Sequence, residues 1–171
     1  MITVRSVLGN LKRDSGLARE YELKSEKGQA EFIRISRLES ERTRMRKVSD
    51  KGTDVIITLD QGLRLKHKDV ILLTDSKMIL VKVEPENVGV VEIKDLAQRD
   101  DVIGLALKIG HTLGNLHRPI KIEGKKIFFP IQTDEEIEMF RKLLHSALGH
   151  IEINKSVMVF QPEDGMQAHE H

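Results

Sequence analysis

The hydrophobic period of the chain changes at Glu84-Pro-Glu-Asn87. Upstream, from Ala30 on, apolar and polar residues alternate in short runs. Downstream, two stretches take up the 3.6-residue spacing of amphipathic helices. Pro85 has no N–H to give to a strand ladder and its neighbours are polar, which suits a junction between two packed bodies. The 171 residues are therefore expected to divide into residues 1–86, residues 87–161 and a short tail, residues 162–171.

Downstream of the junction the pattern predicts six elements. Residues 88–93 read as a strand. Asp95 caps a helix running to about residue 113, with Val102, Ala106, Ile109 and Leu113 at helical spacing and Ile103 and Leu107 widening the stripe. Asp100 and Asp101 lie in its early turns, where carboxylates favour the helix dipole. Gly114 and Asn115 end it, since both tolerate the left-handed conformation. Residues 119–123 and 126–131 are strands joined at Gly124-Lys125. Thr133 and Glu136 have the spacing of a capping box, opening a second helix that buries Ile137, Phe140, Leu144 and Ala147 or Leu148. Gly149 stops it, and residues 151–160 form the last strand. The order β-α-β-β-α-β is the ferredoxin-like plan.

Upstream, the alternating runs predict a small β domain. Residues 32–35, 43–48, 54–59, 70–73 and 78–83 read as strands, with turns at 49–52, 60–62 and 74–77. Leu63 and Leu65 carry the alternation on between two of them. Ile2 and Val4 can begin a strand, and the rest of residues 1–28 reads as loop with a short helix or strand. Arg42, Arg44, Arg46 and Lys47 form a basic stripe, either a docking face for an acidic partner or the charged solvent face of an edge strand. The expected class is α+β: a small β domain followed by a ferredoxin-like one.

Composition excludes several functions. The net charge of +1 gives no pull toward nucleic acid or an anionic membrane. One tyrosine and no tryptophan argue against a base-stacking surface. No run approaches the ~20 apolar residues of a membrane span, and the N-terminus lacks an apolar leader, so a cytoplasmic location is expected. There is no phosphate loop and no nucleophile–base pair in recognisable context, so the chain does not read as an enzyme. Without cysteine, a metal site must use His, Asp, Glu or backbone, which favours borderline divalent ions.

The metal chemistry concentrates between Gly110 and Pro119, which reads Gly-His-Thr-Leu-Gly-Asn-Leu-His-Arg-Pro and holds His111 and His117. On a continuous helix these two lie roughly 240° apart, so they do not face one ion together. A single imidazole binds metal weakly. A two-fold axis that brings two copies of His117 together strengthens the site, and His169 and His171, flanking Glu170 in the tail, can supply two more ligands. The plainer readings are a structural histidine after a helix and a tail pair without a role. His67 reads as solvent-exposed in a polar turn, and His145 and His150 have structural explanations near the end of the second helix.

Leu113-Gly-Asn-Leu-His117 followed by Pro119 resembles the Leu-Gly-Asn-Arg-His-x-Pro signature of the UreE family of urease accessory proteins. Residues 42–52, 55–59, Gly62, Asp69 and Val70 are similar to that family's N-terminal β domain. Phe160-Gln-Pro-Glu-Asp-Gly165 is similar to its exit segment, which leads into a histidine-bearing tail. The resemblance implies a peptide-binding-like N-terminal domain and a ferredoxin-like domain that dimerises. It further implies one nickel held by His117 of both subunits, with His169 and His171 contributing from the tails, and delivery to the urease GTPase accessory protein and the urease apoprotein complex. Three features depart from the family: Leu116 stands where the signature has a basic residue, the tail is not polyhistidine, and residues 128–133 carry no auxiliary histidine.

The expected function is thus a dimeric nickel carrier binding Ni(II) through His117, His169 and His171, with His111 a weaker candidate and Zn(II) or Cu(II) able to substitute. The alternatives are a urease-assembly scaffold whose metal site has lapsed and an RNA-binding ferredoxin-like module. The latter lacks the aromatic sheet residues that stack on bases.

Overall fold

Branched aliphatic residues at alternate positions fill one face of a pleated strand, and the runs upstream of Glu84 do so in two sheets. The computed structural model describes residues 1–94 and 102–162. Contacts divide the chain into Met1–Glu84 and Pro85–His171. The first unit contains β1 (Ile2–Val4), β2 (Gly9–Asn10), α1 (Ser15–Glu26), β3 (Ala30–Ile35), α2 (Arg37–Ser40), β4 (Arg44–Val48), β5 (Asp54–Thr58), β6 (Asp69–Leu73) and β7 (Met78–Val83). Its sheets run β1-β5-β4 and β2-β6-β7-β3. β1 pairs with β5 and β3 with β7 in parallel, which strands joined only by tight turns cannot do. The mixed α+β class agrees with the sequence.

Three local readings are corrected in this unit. The polar stretch before Gly28 holds a full helix, α1, whose N-cap Asp14 accepts the Leu17 N–H at 3.0 Å. Leu17 and Tyr21, one turn apart, pack with Leu11 and Phe32 against buried Ala30, Val70, Met78 and Leu80. Residues 63–66 form no strand; Leu65 is buried in a connecting loop, its N–H bonded to the Ser40 carbonyl at 3.1 Å. His67 is half-buried rather than solvent-exposed. Its Nδ1 accepts the Val83 N–H at 3.2 Å, and burial, then Lys68, Lys12 and Lys82, push its pKa below the ordinary histidine value. Of the basic stripe, Arg44, Arg46 and Lys47 lie on β4, an edge strand, and Arg42 just before it; Arg46 is paired to Asp54 at 2.8 Å and Lys47 to Glu39 at 2.6 Å.

The second unit contains β8 (Glu86–Ile93), α3 (Val102–Asn115), β9 (Lys121–Glu123), β10 (Lys126–Pro130), α4 (Glu135–Leu143), a 3-10 turn His145–Ala147 and β11 (Ile151–Met158). The sheet order is β11-β8-β10-β9, with every neighbouring pair antiparallel. Leu105, Ile109 and Leu113 of α3 and Ile137 and Phe140 of α4 meet Val91, Phe129, Ile151 and Ile153 of the sheet in one core. Gly89 of β8 lies opposite Phe129 of β10 because the ring lies over it: a Cβ at Gly89 would meet the ring at 2.4 Å. The Phe129 ring continues onto Phe140, centroids 4.3 Å apart, and ties α4 to the sheet.

The helical stripe expected for α3 is corrected. Leu105, which that stripe omitted, is buried; Ala106 is exposed, and Ile103 and Leu107 are 75% and 68% exposed. Asp95, Asp100 and Asp101, expected at its start, lie outside the described residues. The capping box at α4 forms by half. Glu136 accepts the Thr133 N–H at 3.2 Å, but the Thr133 hydroxyl turns to the Glu135 carboxylate instead of completing the reciprocal bond. Beyond α4, Leu144 and Ala147 are buried and Leu148 is not.

Candidate metal centre

His117 follows α3 and owes its position to the way that helix ends. The chain ends another helix first, and the two termini are alike. At the end of α1, Gly28 takes a left-handed φ of +67°, its N–H bonds to the Ser25 carbonyl at 3.0 Å, and the Gln29 N–H bonds to the Lys24 carbonyl at 2.7 Å. At the end of α3, His117 takes a φ of +49°, its N–H bonds to the Gly114 carbonyl at 2.9 Å, and the Arg118 N–H bonds to the Leu113 carbonyl at 3.2 Å. Both are Schellman motifs, and glycine is the usual residue at their left-handed position because it has no Cβ to clash. Here a histidine fills that position. Gly114 and Asn115 were expected to supply the left-handed turn; both instead belong to the helix, which continues to Asn115. The missed signal is Pro119, since proline commonly follows within a residue or two of such a cap.

The residues around His117 are fixed, and His117 itself is exposed. Leu116, in place of the signature's basic residue, packs against the core beneath the helix end. Arg118 extends one guanidinium nitrogen to the Pro130 carbonyl at 3.2 Å and pairs through another with the Glu136 carboxylate. The imidazole of His117 thus leaves a short segment tied down on both sides.

The other sequence candidates do not gather around it. His111 lies within α3, and the Asn115 amide nitrogen is 2.9 Å from its Nε2, so that ring nitrogen is already engaged. Val102, Ile103, Ala106, Leu107, Gly110 and His111 share one largely apolar side of α3. His145 is exposed in the turn after α4, and the His150 carbonyl accepts the Lys94 N–H at 2.9 Å. His169 and His171 lie outside the described residues. Among the described residues, no three His, Asp or Glu side chains converge closely enough to hold a metal ion. His117 therefore presents one exposed imidazole, and no second His, Asp or Glu pair among the described residues joins it in a closed metal site.

Comparison with known proteins finds relatives that share one name. Residues 4–84 match the family described as UreE urease accessory protein, N-terminal domain. The chain is 30% identical over 146 residues to a urease accessory protein UreE of Natronomonas pharaonis, covering 85% of this chain and 64% of that protein. It is 31% identical over 136 residues to one of Yersinia bercovieri, covering 77% of this chain and 58% of the other. A third, of Pseudomonas syringae pv. tomato, is 29% identical over 135 residues, with 79% of this chain and 87% of that protein covered. The chain thus spans about three fifths of the length of the first two relatives. All three are named as accessory proteins, not as enzymes. Residues 4–84 thus match the N-terminal domain of the UreE urease accessory proteins, and most of the chain is similar to relatives that carry that name.

Proposed function

We propose that this chain is a nickel metallochaperone for urease maturation, which carries Ni(II) at the interface of a homodimer and releases it to the urease assembly machinery. The observation that carries the reading is His117, an exposed imidazole at a left-handed cap where α1 uses glycine. Backbone strain kept at an exposed, potentially ligating side chain points from conformation to function. Two copies of His117 on a two-fold axis supply two imidazoles to one ion. His169 and His171 complete the coordination from the tails, and His111 stands by as an auxiliary donor. Nickel is cargo: it leaves when ligands of the urease GTPase accessory protein, and then of the urease apoprotein complex, displace the imidazoles. Zn(II) and Cu(II) accept the same donors, so selectivity comes from geometry and supply.

The rest of the molecule supports this assignment. The order β11-β8-β10-β9 with two helices supports reading residues 87–161 as a ferredoxin-like domain, which acts as the metal-binding and dimerisation domain. Residues 1–86 act as a peptide-binding-like domain, and residues 162–171 as the histidine-bearing tail. Ile103 and Leu107, large apolar side chains exposed on one helix, provide a surface that a second copy covers. No helix among the described residues is long and apolar enough to cross a membrane. A cytoplasmic site of action suits a carrier with no role for membrane or nucleic acid.

Calorimetric titration of Ni(II) into the full chain, His117→Ala and a chain ended after Gly165, with mass measured alongside, tests the reading. The expected outcome is about one nickel per dimer, lost in His117→Ala and weakened by the truncation. Because protonated imidazole does not ligate, affinity should fall as the solution is made acid. Wild-type affinity in His117→Ala, or affinity unchanged between about pH 8 and 5.5, would rule histidine ligation out.

A further inference from the structure

We propose that Arg118 and Glu136 are positioning residues for the His117 ligand, a pair that holds the left-handed backbone at His117 and so aims its imidazole. This rests on the reading of His117 as a metal ligand. Three observations carry it. The first is the conformation itself: an L-residue in the left-handed region costs about 1–2 kcal/mol, so surroundings must over-determine it.

The second is the connectivity of the Glu136 carboxylate. One oxygen accepts the N–H groups of Gln132 at 2.7 Å and Thr133 at 3.2 Å, which locks it to the start of α4. The other pairs with Arg118, whose guanidinium also reaches the Pro130 carbonyl at the end of β10 at 3.2 Å. The residue next to the ligand is therefore fastened to two other elements of the unit. The third is burial. The Arg118 and Glu136 side chains are only 23% and 15% exposed, while Leu116 on the other side of His117 packs into the core. A pair this sheltered is poorly screened by solvent and holds its geometry better than a surface bridge does.

The pair does not ligate metal. It acts on His117 through the backbone: with it gone, residue 117 relaxes toward ordinary φ values and its Cβ swings away. Residues that orient a ligand in this way are typically worth 10–100-fold in metal affinity. Glu136→Gln is the sharper variant, because its amide oxygen still accepts the N–H groups of Gln132 and Thr133 while the charge that holds Arg118 is removed. Arg118→Gln attacks the pair from the other side.

The experiment titrates Ni(II) alone into the full chain, Glu136→Gln, Arg118→Gln and His117→Ala, with amide hydrogen exchange followed at His117, Arg118 and the sheet residue Val91. The proposal expects affinity lowered about tenfold in both pair variants. It also expects exchange at His117 and Arg118 to quicken while Val91 keeps its protection. Unchanged affinity in the pair variants, with binding lost in His117→Ala, overturns the positioning role and leaves the metal site standing. Faster exchange at Val91 in step with the loss of affinity also overturns it, since the pair then acts only on the stability of the unit. Binding unchanged in His117→Ala overturns both the site and the pair.

Discussion

At the scale of the residue, the informative position is one where a general rule is broken. Gly28 and His117 close their helices with the same two hydrogen bonds, yet only the first is glycine. Placing a Cβ in the left-handed region costs about 1–2 kcal/mol, whereas glycine gives back roughly 0.4–1 kcal/mol through its freer unfolded chain. His117→Gly is therefore expected to match or exceed His117→Ala in stability, by up to about 1 kcal/mol, while both lose nickel. Urea unfolding of the two variants checks this, and a less stable His117→Gly would mean that residue 117 does not sit in the left-handed region. The histidine itself was legible in the signature. Its conformation was not, because Gly114 and Asn115 were closer at hand as helix terminators and local propensity could not tell which residue would turn.

At the scale of the element, a polar cluster joins β3, the turn before β7 and the segment between β4 and β5. Glu31 on β3 is buried, and its carboxylate accepts from Lys77 at 2.7 Å and from Ser49 at 2.6 Å, while Lys77 also donates to Thr53 at 2.8 Å. Burial alone would raise the Glu31 pKa, but the hydrogen bonds from Lys77, Ser49 and Thr53 outweigh it and hold it at about 2. A folded value below the unfolded one means stability present above about pH 4.5 and lost as the pH falls toward 2. The full contribution is on the order of 3 kcal/mol. Glu31→Gln should therefore be less stable than the wild type at neutral pH, and the difference should shrink as the pH approaches 3. Urea midpoints across that range would show it; a gap independent of pH would mean that the charge on Glu31 is not what holds the strands. None of this is legible in the alternation that begins at Ala30, which says nothing of what Glu31 meets in space. The two sheets and their parallel pairings bury it and bring Ser49, Thr53 and Lys77 to it.

At the scale of the molecule, the proposed carrier is a dimer whose metal site is incomplete in one copy. Ile103 and Leu107 were expected to widen the buried stripe of α3, but the helix is rotated so that Leu105, Ile109 and Leu113 face the sheet. The displaced residues form the face on which dimerisation is proposed. Burying a leucine is worth about 1.5–3 kcal/mol, and each copy contributes one, so Leu107→Glu should weaken the dimer by on the order of 100-fold or more. Nickel affinity should fall with it, while circular dichroism of the monomer stays unchanged, because an exposed position contributes little to the core. Sedimentation equilibrium against nickel titration is the measurement. A dimer that survives Leu107→Glu would place the interface elsewhere.

The order of elements downstream of Glu84, the change of period at Glu84–Asn87 and the histidine-bearing segment at the end of α3 were written in the sequence, because periodicity, proline and short motifs act locally. The sequence also carried the likeness to UreE proteins, through residues that need no partner in space to be read. Tertiary structure decided what depends on which faces meet. It turned α3 so that Leu105 is buried and Ile103 is not. It half-buried His67 against the Val83 N–H, and it tied Arg118 to Glu136 across 18 residues of chain. An apolar residue signals only that it prefers burial, and a charged one that it prefers water or a partner. Which of them obtains it is settled when helix and sheet compete for the same core, and that competition is not local.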